Sequence, residues 1–285
     1  MPTWLIDTPQ QLTLEGDINR LDTWLANGKV RVIGTNGPAR LDVRKVGRKG
    51  ITVSVDDGVL SVRHGLKREG WRRWAGPFWW FALGKHNYNA HVTVAVPSSA
   101  VAGLTLISGD VVASGLRRGA TVDVTSGSIT LMGLDGTVRA KTISGSIEAM
   151  GVAGDLGMET VSGEISLAES SAERVFARTI SGAVTCDLDN PYAREVQINT
   201  TSGEITVRVP VDADFDVSLN ATSGRVTSAF PEIRTSGLPG LHHATGRIGT
   251  GTGTLHAYAV SGSVSLLARP AGREDGGDDF TEPSS

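Results

Sequence analysis

Ala140-Lys141-Thr142-Ile143-Ser144-Gly145-Ser146-Ile147-Glu148-Ala149 reads as two short strands meeting at a Ser-Gly corner, with Ala140, Ile147 and Ala149 facing inward and Lys141 and Glu148 facing water. The same reading applies at Ser108-Gly109, Ser126-Gly127, Ser162-Gly163, Ser181-Gly182, Ser202-Gly203, Ser223-Gly224 and Ser261-Gly262. The pairs are spaced 18, 18, 18, 19, 21, 21 and 38 residues apart. A repeat this short cannot bury an apolar face alone and must stack on its neighbours.

Aligned on the glycine, each column keeps one character. Two residues after it stand Val111, Ile129, Ile147, Ile165, Val184, Ile205, Val226 and Val264, an inward β-branched column. Four residues before it, Thr105, Asp123, Lys141, Glu159, Arg178, Asn199, Asn220 and Tyr258 should face solvent. Asp123 to Arg178 alternate in sign from repeat to repeat, which helps fix register at roughly 0.2–1 kcal/mol per pair. The Ser-Gly pair itself turns the corner, and stacked Ser hydroxyls are expected to hydrogen-bond along the axis. The fold class that follows is all-β, a single-stranded parallel β-solenoid (β-helix) of about eight or nine coils of 18–21 residues, preceded by an N-terminal β region. A ninth coil is expected at Thr245-Gly246-Arg247-Ile248, with Pro231 to Gly240 an inserted surface loop.

The chain then divides into residues 1–97, a β region carrying an aromatic and basic insertion at 66–90; residues 98–270, the repeats; and residues 271–285, an acidic tail expected to be disordered. Before the repeats, strand patterns occur at 11–14, 30–33, 41–43, 51–55, 59–62 and 91–96, with Asp57-Gly58 a hairpin signal. This region is expected to close one end of the stack, whose bare edge would invite aggregation.

Net charge is −3, yet residues 1–100 carry 14 Lys/Arg against 8 Asp/Glu. A basic first part favours anionic partners, the acidic repeat part repels nucleic acid, and no nucleic-acid motif is present. The insertion concentrates Trp71, Arg72, Arg73, Trp74, Phe78, Trp79, Trp80 and Phe81, the composition of segments lying at an anionic membrane interface. Three readings of it stand at this point: contact with an anionic membrane surface, contact with a membrane or other protein, or a cap folded over the stack. Cys186 sits in an apolar column without a disulfide partner. With no signal peptide and no long apolar run, the expected location is cytoplasmic, peripheral at the inner face of the membrane.

Enzyme chemistry has little to stand on. The column after each glycine, Asp110, Ser128, Ser146, Glu164, Ala183, Glu204, Arg225 and Ser263, stacks no carboxylate pair of the kind a carbohydrate-active β-helix needs. Gly246, Gly249, Gly251 and Gly253 lack the Lys-Ser/Thr end of a phosphate loop, and adjacent His242 and His243 on a strand point to opposite faces. No catalytic residue, metal or cofactor is expected. The repeats, the Phe230-Pro231 step and the run Gly246-Arg247-Ile248-Gly249 through Ser261-Gly262-Ser263-Val264 resemble the bacterial DUF4097 family over roughly residues 100–268. That is a family of β-strand-repeat proteins often labelled putative adhesins. The resemblance implies a β-solenoid and a role at the bacterial cell envelope or in its stress response, and it supplies no catalytic residues. The functional expectation is therefore a non-enzymatic scaffold or binding module, with an exported adhesin and a carbohydrate-active enzyme as the alternatives.

Overall fold

The computed structural model describes residues 2–14, 16–64, 88–238 and 241–269, and every regular element among them is a β-strand. Ahead of the first Ser-Gly pair come β1 (Thr3–Ile6), β2 (Gln10–Thr13), β3 (Arg20–Thr35), β4 (Arg40–Val46), β5 (Ile51–Asp56), β6 (Val59–His64) and β7 (Ala90–Pro97). The repeats supply β8 (Val101–Ser114), β9 (Ala120–Ser126), β10 (Ile129–Met132), β11 (Thr137–Ser144), β12 (Ile147–Met150), β13 (Ala153–Ser162) and β14 (Ile165–Ser181). They continue through β15 (Val184–Leu188), β16 (Glu195–Ser202), β17 (Ile205–Pro210), β18 (Phe215–Ser223) and β19 (Val226–Ser228). The last are β20 (Arg234–Leu238), β21 (Leu241–Ile248), β22 (Gly253–Ser261) and β23 (Val264–Arg269).

The columns of the sequence are columns in space. Ile129 lies between Val111 and Ile147 in parallel register, and Ser144 lies between Ser126 and Ser162. Each repeat is thus one level with a strand on either side of its corner. Ala140, Ile147, Ala149 and their stacked equivalents fill one continuous core, whereas Lys141 and Glu148 face out. Every fully buried Val, Leu or Ile in such a column contributes about 1.5–3 kcal/mol. Cys186 belongs to this core; burial, with Asp187 adding to it, pushes its thiol up to about 12.

A plain winding of eight or nine coils in chain order does not describe the two ends. From one end the levels run β6 with β7, then β3, then β8, then β9 with β10. Next come β11 with β12, β13 with the first part of β14, and the second part of β14 with β15. After β16 with β17, the next level is β22 with β23, and β18 with β19 lies outermost. So the second level in the chain is outermost at one end, and the final level is inserted beneath its predecessor at the other. The sequence reading also missed two levels in the N-terminal region. Asn27-Gly28-Lys29-Val30 pairs with Ser108-Gly109-Asp110-Val111, and Ala90 stacks on Gly28.

The expected ninth coil is corrected as well. Residues 245–248 belong to β21, which runs antiparallel to β18, and β20 runs antiparallel to β21, so the stretch expected to be a loop contains a strand. At the other end β5 and β1 continue antiparallel beyond β6, and β4 and β2 beyond β7. Short antiparallel strands thus terminate both ends of the first ladder and one end of the second, limiting the length of exposed edge.

The corners show why glycine is required. A Cβ on Gly145, whose φ is +141°, would lie 2.0 Å from the carbonyl oxygen of Gly127. Each corner glycine presents its missing side chain to the level before it, and Ala90, at the outermost corner, has no further corner stacked on that side. The Ser hydroxyls are not the axial donors. Those bonds come from the backbone, as in Gly145 N–H to Ser162 O at 2.9 Å. A second set comes from the buried Thr142, Thr160, Thr179 and Thr200, whose hydroxyls donate to the carbonyls of Gly127, Gly145, Gly163 and Gly182.

Candidate functional site

The residues singled out by sequence, Trp71, Arg72, Arg73, Trp74, Phe78, Trp79, Trp80 and Phe81, lie outside the described residues. Their attachment points do not. β6 ends at His64 and β7 begins at Ala90, which holds the glycine position of the outermost corner, so the insertion joins the two strands of that level ahead of its corner. His64 and Tyr88 meet there edge to face, with ring centroids 5.5 Å apart. Nδ1 of His64 accepts the Ala26 N–H at 3.0 Å, Nε2 has no hydrogen-bond partner among the described residues, and burial lowers the imidazole to about 4. Lys49 Nζ sits 5.1 Å from the Tyr88 ring centre. His91, close by, is also lowered, first by burial and then by the charges of Lys45 and Lys29. The described rim of the insertion is therefore electropositive.

A second candidate is one that column reasoning treated only as a register device. The outer face of β9, β11, β13, β14 and β16 is concave in two places that share Lys141 and Glu159. One groove, of about 450 Å³, runs between the charged column and the column just before the corner serines. In that second column Ile143, Val161 and Ile180 are 53%, 41% and 45% exposed, a ladder of apolar side chains that the core does not use. The other groove, of about 370 Å³, is lined by Arg139, Gly157, Phe176 and Gln197 and by charges on either side. Lys141 pairs with Glu159 at 3.0 Å and Arg174 with Asp155 at 3.7 Å, whereas Arg178 has no ion-pair partner among the described residues. The period-two pattern around Ile143, Val161 and Ile180 carried the signal: apolar residues on the strand face that should have been polar.

The remaining polar groups are structural. Lys29 and Ser128 hold Asp110 at 3.1 and 2.9 Å; burial opposes its ionisation, but these contacts outweigh burial and keep its carboxyl below the usual range. In the column after the glycines Ser263, not Arg225, neighbours Glu204, because β23 lies between β17 and β19. Asp187 is bridged by Arg208 and Arg269, and Arg269 also reaches Asp189. Asp214 receives Thr250 Oγ1 at 2.7 Å, Thr252 Oγ1 at 2.9 Å and the N–H groups of Gly251 and Thr252. That explains the glycine run as a turn wrapped on a carboxylate. His243 contacts Ser236 on the neighbouring strand while His242 is exposed, and no cluster of three or more metal-ligating side chains occurs among the described residues.

Residues 25–267 match the family model described as Toastrack DUF4097. The chain belongs to the DUF4097 family. The match reaches back to β3, so the Asn27-Gly28 level falls within the family region although it lies well before the first Ser-Gly pair. Among solved structures, the DUF4097 chain is similar to a putative adhesin from Bacteroides fragilis, at 12% identity and a TM-score of 0.50, covering 91% of this chain and 96% of that one. It also matches a putative lipid binding protein from Parabacteroides distasonis, at 10% identity and a TM-score of 0.35, over 91% and 96% of the two chains. The former similarity extends the all-β fold beyond this chain. No functionally curated protein matches the sequence.

Proposed function

We propose that this DUF4097 protein is a non-enzymatic scaffold or binding module of the bacterial cell envelope or its stress response, wound as a β-solenoid through its middle levels. Its basic aromatic insertion contacts the anionic inner face of the membrane or a membrane protein there. The observation carrying this reading is the electropositive rim of Lys45 and Lys49, with Lys29 paired to Asp110 beside them, around the start of β7 where the insertion rejoins the stack. Cations at the rim add to Arg72 and Arg73, and each Lys or Arg near an anionic bilayer contributes about 1 kcal/mol. Flotation with neutral and with anionic vesicles across a salt series tests it. Binding to anionic vesicles alone, weakening with salt and lost on replacing Trp79 and Trp80 with Ser, is expected. Recovery unchanged by that replacement counts against the reading. The name of the Bacteroides fragilis neighbour supports a second reading, an exported adhesin, for which labelling of the protein on intact cells is the discriminating observation.

A further inference from the structure

Gly157 is a residue of the outer face that the chain's own packing does not explain. It lies in the middle of β13, its φ is outside the left-handed region, and a Cβ built on it would meet nothing nearer than 3.9 Å. Glycine inside a strand weakens it, and such a position often marks a close approach by another molecule. Here it opens the smaller groove, and its lateral neighbour on β14 is the half-buried Phe176.

We propose that this face binds a second copy of the chain about a two-fold axis parallel to the strands and passing between β13 and β14. That operation sets each level of one protomer against the level on the other side of the axis in its partner, so residues paired across β13 and β14 meet their counterparts. Phe176 then enters the notch over the partner's Gly157. Arg178, without an ion pair among the described residues, faces the partner's Glu159, and Ile180 covers the partner's Val161. The face is complementary to itself because charge alternates between neighbouring levels while large and small side chains also exchange places. Five strands at about 4.8 Å and seven residues at about 3.3 Å give roughly 550 Å² per protomer, about 1,100 Å² in total, the size of a weak, transient interface. The expected dimer is weak, with Kd of about 1–100 µM.

Sedimentation equilibrium of the full chain tests this. Wild-type protein is expected to dimerise in that range, less tightly at high salt. Gly157→Leu, which fills the notch from the outside, is expected to be folded by circular dichroism and monomeric. Glu159→Arg and Arg178→Glu each place like charges at both contacts and are expected to weaken association at least about tenfold. An equimolar mixture of these two variants restores opposite charges at both contacts and should dimerise again. A monomeric wild type overturns the proposal, as does association indifferent to Gly157→Leu or a mixture that associates no better than either charge variant alone. The paired charge variants keep the test decisive if Gly157→Leu does not fold.

Discussion

Substituting Gly145 with Ala should cost far more than the same change at Gly133, although both have positive φ. At Gly133 φ is +56° and a Cβ would meet nothing within 4 Å, so the cost is left-handed strain alone, about 1 kcal/mol. At Gly145 the added carbon would lie 2.0 Å from the Gly127 carbonyl oxygen, and real contacts begin near 3.0 Å, so the levels must part by about 1 Å. Two backbone bonds hold those levels together at that point, Gly127 N–H to Ser144 O at 2.9 Å and Ile129 N–H to Ser146 O at 3.0 Å. Losing both at about 0.5–1.5 kcal/mol each, on top of about 1–2 kcal/mol of backbone strain, gives roughly 4 kcal/mol. The loss of unfolded-state entropy on going from Gly to Ala offsets both variants alike. Urea unfolding followed by far-ultraviolet circular dichroism should therefore place Gly145→Ala well below Gly133→Ala, which stays near the parent. Equal midpoints for the two variants would refute the contact argument and leave conformational preference as the reason for the repeated glycine.

Two further perturbations test the polar anchors. His64 is held neutral in the fold, at about 4 against an ordinary 6.5, so the unfolded chain takes up its proton first as pH falls. Its contribution to stability is whole above pH 6.5 and declines on acidification towards 4 by about 3 kcal/mol in total. Urea midpoints at neutral and mildly acidic pH should accordingly converge in His64→Gln relative to wild type. For Asp214→Ala, removal of the carboxylate that gathers Thr250, Gly251 and Thr252 should accelerate amide exchange at Gly251 and Thr252 at least about tenfold while the core strands stay protected. Because those hydroxyl and N–H donors, Thr250 first, hold Asp214 down to about 2, the same turn in wild type should keep its protection throughout the mildly acidic range.

Columns were legible in the sequence because a residue's inward or outward aspect repeats every second position, and because each corner admits one residue type for two reasons at once. Levels were not. Ser261-Gly262 satisfies the same column wherever its repeat is inserted, so nothing local distinguishes a place beneath Ser223-Gly224 from one above it. The ties that single out the observed place are long-range: Arg269 reaches Asp187 and Asp189, two levels away, past β17. Asn27-Gly28 escaped notice because Asn replaces Ser and 81 residues separate Gly28 from Gly109, too great an interval to look periodic. Ala90 escaped because the outermost corner tolerates the methyl group that all the others reject. The candidate binding face was half legible. Its charge column was read correctly as solvent-facing, but Gly157 and Phe176 acquire meaning only when the strands carrying them lie side by side.

The placing of β22 and β23 beneath β18 and β19 has a mechanical consequence. A terminal strand on the outside of a stack can be peeled away one hydrogen bond after another, because only one of its sides is held. β23 is gripped by β17 on one side and, over its first three residues, by β19 on the other. A pull at residue 269 therefore meets the β17 row alone over Leu267 to Arg269, and from Leu266 inward it must break the β17 and β19 rows together. Tension at that end meets a clasp, and a tail following it can be tugged without unravelling the body to which it is attached.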